Sequence, residues 1–216
     1  GTKVTFHSDP TIIEDTVYDY DTLKQRLRET AFLTKGLRIV LSHARVDREH
    51  TPEFHYAGGI KEFVTYLNKS KEALYPEVIY CEGTRDGVYV EVAMQHNDSY
   101  NDATYSFVNN IITPEGGTHL AGFRNALTKT FNTYARANKI LKDTEPALTG
   151  DDIREGLTAI ISIKIEEPQF EGQTKQKLGN SEARGADDSV VSEQLTYFLG
   201  QNHTVAKNIC EKSLIT

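Results

Sequence analysis

The segment from Glu171 to Asn180, which reads EGQTKQKLGN, is the strongest candidate for chemistry in this sequence. Its lysines, glutamines and glycines make it too polar to bury, so it predicts a surface loop. A lysine on a loop flanked by glycines can extend a compact ammonium toward a phosphate, while glutamine side chains and backbone N–H groups add neutral donors. The segment therefore predicts either a lysine contributed to a site built mainly by other residues, or a plain polar connection.

Motifs of a complete active site are missing from the sequence. It contains no GxxxxGK[ST] phosphate loop, no HExxH or CxxC metal spacing and no GxSxG nucleophile elbow. His50 and His55 lie five residues apart around a predicted strand, a spacing that does not bring two imidazoles onto one metal ion. The segment EGGTHLAG is similar to a phosphate-binding glycine loop, but a glycine pair before a helix is more often a turn and cap. The sequence therefore predicts no metal site.

The predicted loop lies between a strand and a helix. From Leu157 to Ile165, apolar residues occupy every second position, which predicts a strand with one buried face. After Pro168 and the loop, apolar spacing predicts helices over about 187–199 and 204–214, the first with Val190, Val191, Leu195 and Phe198 facing inward. A further helix is predicted from Thr118 onward by the stripe Leu120, Phe123, Leu127, Phe131 and Tyr134.

The first third of the chain predicts a short strand, a helix and a hairpin. Residues 2–7 alternate in polarity, Asp21 is a plausible helix N-cap, and Gly36 follows the helix as a stop. Strands are predicted over 37–45 and 51–56, on either side of the polar turn VDREH. We place a domain boundary at the glycine pair 58–59, which divides the chain into domains 1–57 and 58–216.

The segment after this boundary predicts a helix followed by strands. Ile60, Phe63, Val64 and Leu67 have the spacing of one buried helix face. Between 77 and 95, two strand-like runs flank Asp86-Gly87, a dipeptide suited to a tight hairpin, and Val88, Val90, Val92 and Met94 share one face of the second run. Residues 104–112 are predicted to form one further strand. Strands and helices mix without strict alternation, which predicts the α+β class.

Charge and cysteine content limit the possible partners and compartment. A net charge of −7 and a pI near 5.5 argue against a surface that coats nucleic acid unaided, so any DNA contact must be local. Cys81 and Cys210 occur without a signal peptide, which predicts free, buried thiols in a reducing, cytoplasmic compartment. No apolar run reaches the length of a membrane span. Because the chain starts directly in a strand-like run without methionine, we expect it to be a segment of a longer protein.

Several stretches together resemble the DNA gyrase B family of bacterial type IIA topoisomerases, which are ATPases of the GHKL type. The resemblance covers essentially the whole chain, and the corresponding protein of topoisomerase IV shares its motifs. It rests on GTKVTF, YDYDTLKQRLRETAFLTKG, FHYAGGIKEFVTYLNKSKEAL, VEVAMQHNDSY, SFVNNIITPEGGTHLAGF, DDIREGLTAIISIK and QFEGQTKQKLGNSEAR.

This resemblance implies a fold and a set of site residues. Residues 1–57 would be the C-terminal remnant of a GHKL ATPase domain. Residues 58–216 would be a transducer domain similar to domain 2 of ribosomal protein S5, a mixed sheet with helices and a left-handed β-α-β crossover. ATP and Mg would be bound mainly by an upstream domain. The QTK loop would reach the γ-phosphate of ATP through Lys175 as the catalytic lysine, with Gln173 as a further donor. Thr2 and Val4 would line the adenine end of the pocket.

The resemblance also implies partners and an activity. The full enzyme would change DNA supercoiling as an A2B2 assembly, formed with gyrase A and a second copy of gyrase B, acting on double-stranded DNA. Arg124, Lys129 and Arg136 would face a DNA cavity, although Glu115 in the nearby loop TPEGG is unfavourable there. The 216-residue chain alone would be inactive and monomeric. The alternatives are the equivalent region of topoisomerase IV, or a non-catalytic nucleic-acid-binding module of S5-like fold.

Overall fold

Seven strands and six helices make up the part of the chain that the structure, a computed structural model, describes: residues 1–44 and 51–215. The predicted turn at 46–50, together with His50, lies outside these residues. In chain order the elements are α1 (Tyr20–Leu33), β1 (Arg38–Val40), β2 (Glu53–His55), α2 (Ile60–Leu67), β3 (Ile79–Arg85), β4 (Val88–His96), β5 (Ala103–Val108), β6 (Ile111–Ile112), α3 (Thr118–Ala137), α4 (Gly150–Arg154), β7 (Leu157–Lys164), α5 (Ser181–Gln201) and α6 (His203–Ile215).

A five-stranded mixed sheet with the order β3-β4-β7-β5-β6 is the centre of the fold. Strand β4 pairs antiparallel with β3 and with β7, whereas β5 runs parallel to β7. Parallel neighbours need a crossover, and β6, α3 and α4 lie between β5 and β7 in the chain. A separate two-stranded sheet is formed by β1 and β2. The mixed sheet with its helices confirms the predicted α+β class.

Helices cover both faces of the large sheet. Helices α3, α5 and α6 pack on one face, against the fully buried Val88, Val90, Val92 and Met94 of β4 and against alternate residues of β7. This confirms the predicted apolar faces of both strands. Cys81 and Cys210 lie in this core as free, buried thiols. No helix in the described part of the chain is long and apolar enough to cross a membrane.

Helices α1 and α2 form the second layer, on the opposite face. Phe32 of α1 stacks on Phe63 of α2 with ring centroids 4.7 Å apart, and on Tyr56 at 3.7 Å. The same cluster includes Phe107 of β5 and Ile160 of β7. One apolar core therefore joins residues from both sides of the boundary predicted at 57/58, and that boundary stays a prediction.

The two hairpin turns of the large sheet differ in how visible they are in the sequence. Asp86-Gly87 joins β3 to β4 with positive φ at both residues (51° and 74°), as predicted. Asn109 and Asn110 also have positive φ (49° and 66°) and join β5 to β6. The single strand predicted over 104–112 was therefore wrong: asparagine tolerates the left-handed region, and the chain turns there.

Several predicted boundaries need correction. Residues 2–7 form no strand, because a strand needs a hydrogen-bonded neighbour and none of the described strands pairs with them. Helix α1 is capped by Asp19, whose Oδ1 accepts from the Thr22 backbone N at 2.7 Å, and not by Asp21. Helix α5 starts at Ser181 rather than near 187, because the small residues Ala183 and Ala186 carry its buried face in the first turns.

Candidate phosphate-binding loop

The loop predicted at 171–180 is a hairpin with a closed neck between β7 and α5. The Glu171 N–H donates to the Lys177 carbonyl at 2.8 Å, and the Gly179 N–H donates to the Gln169 carbonyl at 2.7 Å. A bridge between Phe170 and Leu178 lies between these two bonds. The residues beyond the neck, 172–176, form an exposed tip that the backbone holds at its base.

Lys175 lies in this tip and its side chain is exposed. Its φ of 55° is in the left-handed region, which costs a residue other than glycine about 1–2 kcal/mol. Backbone strain of this kind is concentrated at functional sites. Among the residues that the structure describes, none forms a hydrogen bond or ion pair with the Lys175 ammonium or with the side chain of the exposed Gln173.

Lys177, the other lysine of the loop, is in a different situation. Its ammonium lies 3.0 Å from Glu171 Oε2 across the hairpin, and 43% of its side chain is exposed. An exposed ion pair contributes little to stability, but it offsets the positive charge of Lys177 locally. Of the two lysines, Lys175 is therefore the one whose charge is available to an anion.

The start of α3 anchors the neck. The Leu178 N–H donates to the Gly116 carbonyl at 3.1 Å, and the Thr118 N–H donates to the Leu178 carbonyl at 3.1 Å. A third bond, from the Glu115 N–H to the Gln176 carbonyl, measures 3.0 Å. These bonds hold residues 176–178, the exit strand of the hairpin, beside the first turn of α3. The loop is therefore fixed to a helix that is far from it in the chain.

Gly117 is required at this anchor for two reasons. Its φ of 133° is a conformation that only glycine adopts readily, and a Cβ atom at this position would lie 2.4 Å from the Leu178 carbonyl oxygen. Sequence reasoning treated the glycine pair of EGGTHLAG as a turn and cap, and it missed this contact. No local sequence signal identifies it, because the contact joins Gly117 to the backbone of Leu178, far along the chain.

The helices that follow the glycine pair and the loop also touch. A Cβ on Gly122 of α3 would lie 2.3 Å from the Arg184 carbonyl oxygen of α5, so the two backbones are in direct contact. Next to the anchor, His119 is fully buried and its Nε2 is 3.2 Å from Thr113 Oγ1. Burial lowers the pKa of His119 to about 4, so the ring is neutral at pH 7. The base of the loop thus lies beside two closely packed helices and a neutral imidazole.

The other predicted site residues do not join the loop. Thr2 and Val4 lie in the N-terminal segment without a strand, and Val4 is 80% exposed. No hydrogen bond connects either residue to residues 170–180 in the described part of the chain. Their predicted contact with a nucleotide stays a prediction.

The three basic residues predicted to face DNA already have partners within the chain. Arg124 Nη2 is 3.9 Å from Asp102 Oδ2, and Lys129 Nζ is 3.0 Å from Asp188 Oδ1. Arg136 Nη1 donates to the Lys142 carbonyl at 2.8 Å. The two carboxylates offset the positive charges of Arg124 and Lys129, whereas the carbonyl bond leaves the charge of Arg136 uncompensated, and the DNA contact stays a prediction.

The available side chains fit a phosphate better than a metal ion. Lys175 and Gln173 are donors, which suit phosphate oxygens. Within residues 1–44 and 51–215, no three His, Cys, Asp or Glu side chains lie close enough together to hold a metal ion. The loop can therefore supply a positive charge and a neutral donor to a phosphate group held elsewhere.

Comparison with known families and sequences identifies close relatives. The profile of the family described as DNA gyrase B matches residues 59–216. The gyrase B protein of Clostridium acetobutylicum is 55% identical over all 216 residues, which span 34% of that protein. The gyrase B protein of Enterococcus faecalis is 51% identical, again over the whole chain and 34% of the relative. The chain thus spans about a third of the length of these relatives.

Solved structures show the same fold. The 43K ATPase domain of Thermus thermophilus gyrase B, in complex with an aminocoumarin, superposes with a TM-score of 0.82 at 38% identity, covering 95% of this chain and 55% of that one. The topoisomerase IV ATP binding domain of Francisella tularensis gives a TM-score of 0.78 at 27% identity, with coverages of 95% and 55%.

Proposed function

The chain belongs to the DNA gyrase B family, and on this premise we propose that it is the transducer region of an ATP-dependent type II DNA topoisomerase that changes DNA supercoiling. In this proposal Lys175 binds the γ-phosphate of ATP in a nucleotide pocket formed largely by a preceding domain. The observation that carries the proposal is the Lys175 ammonium, exposed and without a partner among the described residues, on a loop whose neck is anchored by backbone bonds.

The geometry of the loop suits electrostatic catalysis. Bound ATP, with Mg²⁺, supplies the phosphoryl group that is transferred to water. Lys175 stabilises the negative charge that develops there, and Gln173 donates a neutral hydrogen bond beside it. Because the neck already holds the tip, little reorganisation is needed when the ammonium meets the phosphate. Thr2 and Val4 line the adenine end once residues 2–7 pair as a strand in the complete nucleotide domain.

The same anchor provides a path for the nucleotide signal. The loop is bonded to the start of α3 and continues directly into α5, and these two helices are in backbone contact at Gly122. Movement of the loop toward a γ-phosphate would therefore move α3 and α5 together as a rigid body. We propose that this movement couples ATP binding and hydrolysis to the DNA gates of a cytoplasmic A2B2 enzyme, with Arg124, Lys129 and Arg136 facing the DNA cavity.

Chemical protection tests the phosphate contact. In the intact protein, an amine-acylating reagent should modify Lys175 quickly without nucleotide and slowly with a non-hydrolysable ATP analogue. Lys177 is the matched control, because it lies two residues away and is held by Glu171. Protection of Lys175 by the triphosphate but not by ADP supports the contact with the γ-phosphate. Equal reactivity of Lys175 with and without the analogue would refute it.

The equivalent region of topoisomerase IV is the second candidate, which the likeness to the Francisella structure favours. Reconstitution with a purified partner protein decides between them: ATP-dependent introduction of negative supercoils indicates gyrase, whereas relaxation and decatenation without supercoiling indicate topoisomerase IV. A nucleic-acid-binding module of the same fold would instead bind DNA or RNA as the isolated chain, with affinity that falls steeply with salt.

A further inference from the structure

Asn180, at the end of the loop, uses its side chain in an unusual way for its position. It is the N-cap residue of α5, yet its side chain makes no capping bond to that helix. Its Oδ1 accepts from the Gln169 backbone N at 2.6 Å, and its Nδ2 donates to the Glu167 carbonyl at 3.1 Å and to Glu182 Oε1 at 2.9 Å. An N-cap asparagine normally satisfies the free N–H groups of its own helix. Here the amide is committed to residues 167–169, the segment that leads from β7 into the loop (the entry strand of the hairpin).

These bonds add something that the backbone pairing does not provide. The bond from Gly179 to Gln169 and the bond from Glu171 to Lys177 fix the hairpin's internal shape. The bonds to Gly116 and from Thr118 hold only the exit strand, at Leu178. Among the described contacts of the entry strand, those of the Asn180 side chain tie Glu167 and Gln169 to the start of α5.

The surroundings of Asn180 favour a fixed orientation. The residue is only 4% exposed, so water competes little for the hydrogen bonds of its amide. Glu182 lies in the first turn of α5, where a negative charge is favourable, and the hydrogen bond from Asn180 lowers the pKa of Glu182, which keeps it ionised. The ionised carboxylate holds the amide with its NH2 group toward Glu167 and its oxygen toward Gln169.

We propose that Asn180 is the positioning residue of the Lys175 loop. Its three hydrogen bonds lock the entry strand to α5, so that the lysine and the helix move as one body. The proposal rests on the proposed role of Lys175, which it extends: Asn180 does not touch the phosphate, and it acts by holding the hairpin in the direction from which Lys175 reaches it.

Three variants of the intact protein test this inference. Asn180→Ala removes all three bonds. Asn180→Asp keeps an acceptor for Gln169 but turns a carboxylate oxygen toward the Glu167 carbonyl and the Glu182 carboxylate. Adding Glu182→Gln to Asn180→Asp restores a donor between positions 180 and 182. The control is Asn138→Ala, since Asn138 also lies at a helix end but donates only to its own helix, at the Tyr134 carbonyl.

The measurements are amide hydrogen exchange, turnover and nucleotide affinity. Asn180→Ala should speed exchange over 169–179 while leaving β4 and β7 protected, and it should lower turnover at saturating ATP by roughly 10- to 100-fold, the loss expected from misplacing a catalytic group by about 1 Å. Nucleotide affinity should change by less than about threefold, because the loop is only one part of the pocket. Asn180→Asp should behave similarly, and Glu182→Gln should recover part of the loss, because it restores the bond between positions 180 and 182 but not the bond to the Glu167 carbonyl.

The outcomes distinguish a failure of the positioning role of Asn180 from a failure of the proposed role of Lys175. Unchanged exchange and turnover in Asn180→Ala would overturn the positioning role, as would an Asn180→Asp variant whose exchange and turnover Glu182→Gln does not improve at all. Faster loop exchange in Asn180→Ala, combined with normal turnover in Lys175→Ala, would support the positioning role and overturn the proposed function. Loss of protection throughout the sheet in all three variants would show that Asn180 serves the whole fold, which also overturns the inference.

Discussion

Gly117→Ala should both destabilise the fold and misplace the Lys175 loop. The added Cβ would lie 2.4 Å from the Leu178 carbonyl oxygen and 2.5 Å from its backbone N, at a φ of 133°. Both atoms already bond to neighbours of Gly117, so they cannot move without breaking the anchor of the loop. A single methyl group therefore acts directly on the contact that positions the loop.

The size of the effect follows from these distances. An alanine in such a backbone conformation costs about 1–3 kcal/mol in strain, and overpacking at a rigid contact costs about another 1–3 kcal/mol. Since ordinary contacts begin at 3.4 Å, Leu178 must withdraw by about 1 Å to accept the methyl group. The free energy of unfolding should fall by about 2–6 kcal/mol, and turnover should fall by about 10²-fold because the loop is displaced.

Urea unfolding followed by circular dichroism measures the first effect, and ATP turnover of the intact protein measures the second. The matched control is Gly185→Ala in α5, where a Cβ would meet no atom within 4 Å. That variant should gain about 0.5–1 kcal/mol, because alanine is the better helix former. The reasoning is refuted if Gly117→Ala unfolds at the same urea concentration as the unchanged protein and keeps normal turnover.

Three further predictions concern pH and the isolated chain. Burial lowers the pKa of His96 and of His119 to about 4 from 6.5, so both are neutral in the folded protein, and stability should fall as pH drops from 6.5 toward 4. Urea titrations at several pH values should show this fall in the free energy of unfolding, and His119→Gln should reduce it. The same pH dependence in His119→Gln as in the unchanged protein would contradict the burial argument. Burial raises the pKa of Asp187 well above 3.8, so the protonated carboxyl favours the folded state at low pH and this stability is lost as pH rises through the raised pKa. Asp187→Asn removes this dependence, so the variant should be more stable relative to the unchanged protein at pH 8 than at pH 4. The isolated 216-residue chain should be monomeric and should not bind ATP, because one loop and one unpaired segment cannot enclose a nucleotide; micromolar binding in calorimetry, or a dimer independent of concentration in sedimentation, would contradict this.

Patterns read over a few residues were sufficient for much of the fold. Alternation along β4 and β7 correctly identified their buried faces, and Asp86-Gly87 correctly identified a hairpin. Sheet order could not be read in this way, because β7 lies between β4 and β5 through pairings between residues far apart in the chain. The turn at Asn109-Asn110 was missed because apolar residues continue on both sides of it.

The surface loop was predictable from its composition, whereas the contacts that hold it were not. The composition of EGQTKQKLGN correctly indicated a loop between a strand and a helix with an exposed tip that includes Lys175, although Leu178 and Asn180 at its end are buried. Its anchor depends on Gly117, whose requirement becomes visible only when Leu178 is placed against it. The bonds of the Asn180 side-chain amide to the backbone of Glu167 and Gln169 are likewise visible only in the folded chain, whereas the residue type alone indicates an ordinary helix cap.

The most direct test of the central claim compares Lys175→Ala with Lys177→Ala in the intact protein, measuring ATP turnover and nucleotide affinity for both. If the Lys175 ammonium acts on charge that develops at the transferred phosphoryl group, Lys175→Ala should lower turnover by about 10²- to 10³-fold and change affinity much less. Lys177→Ala should be nearly silent, because that lysine is paired with Glu171 at 3.0 Å. Normal turnover in Lys175→Ala, or a larger loss in Lys177→Ala, would contradict the assignment of the loop.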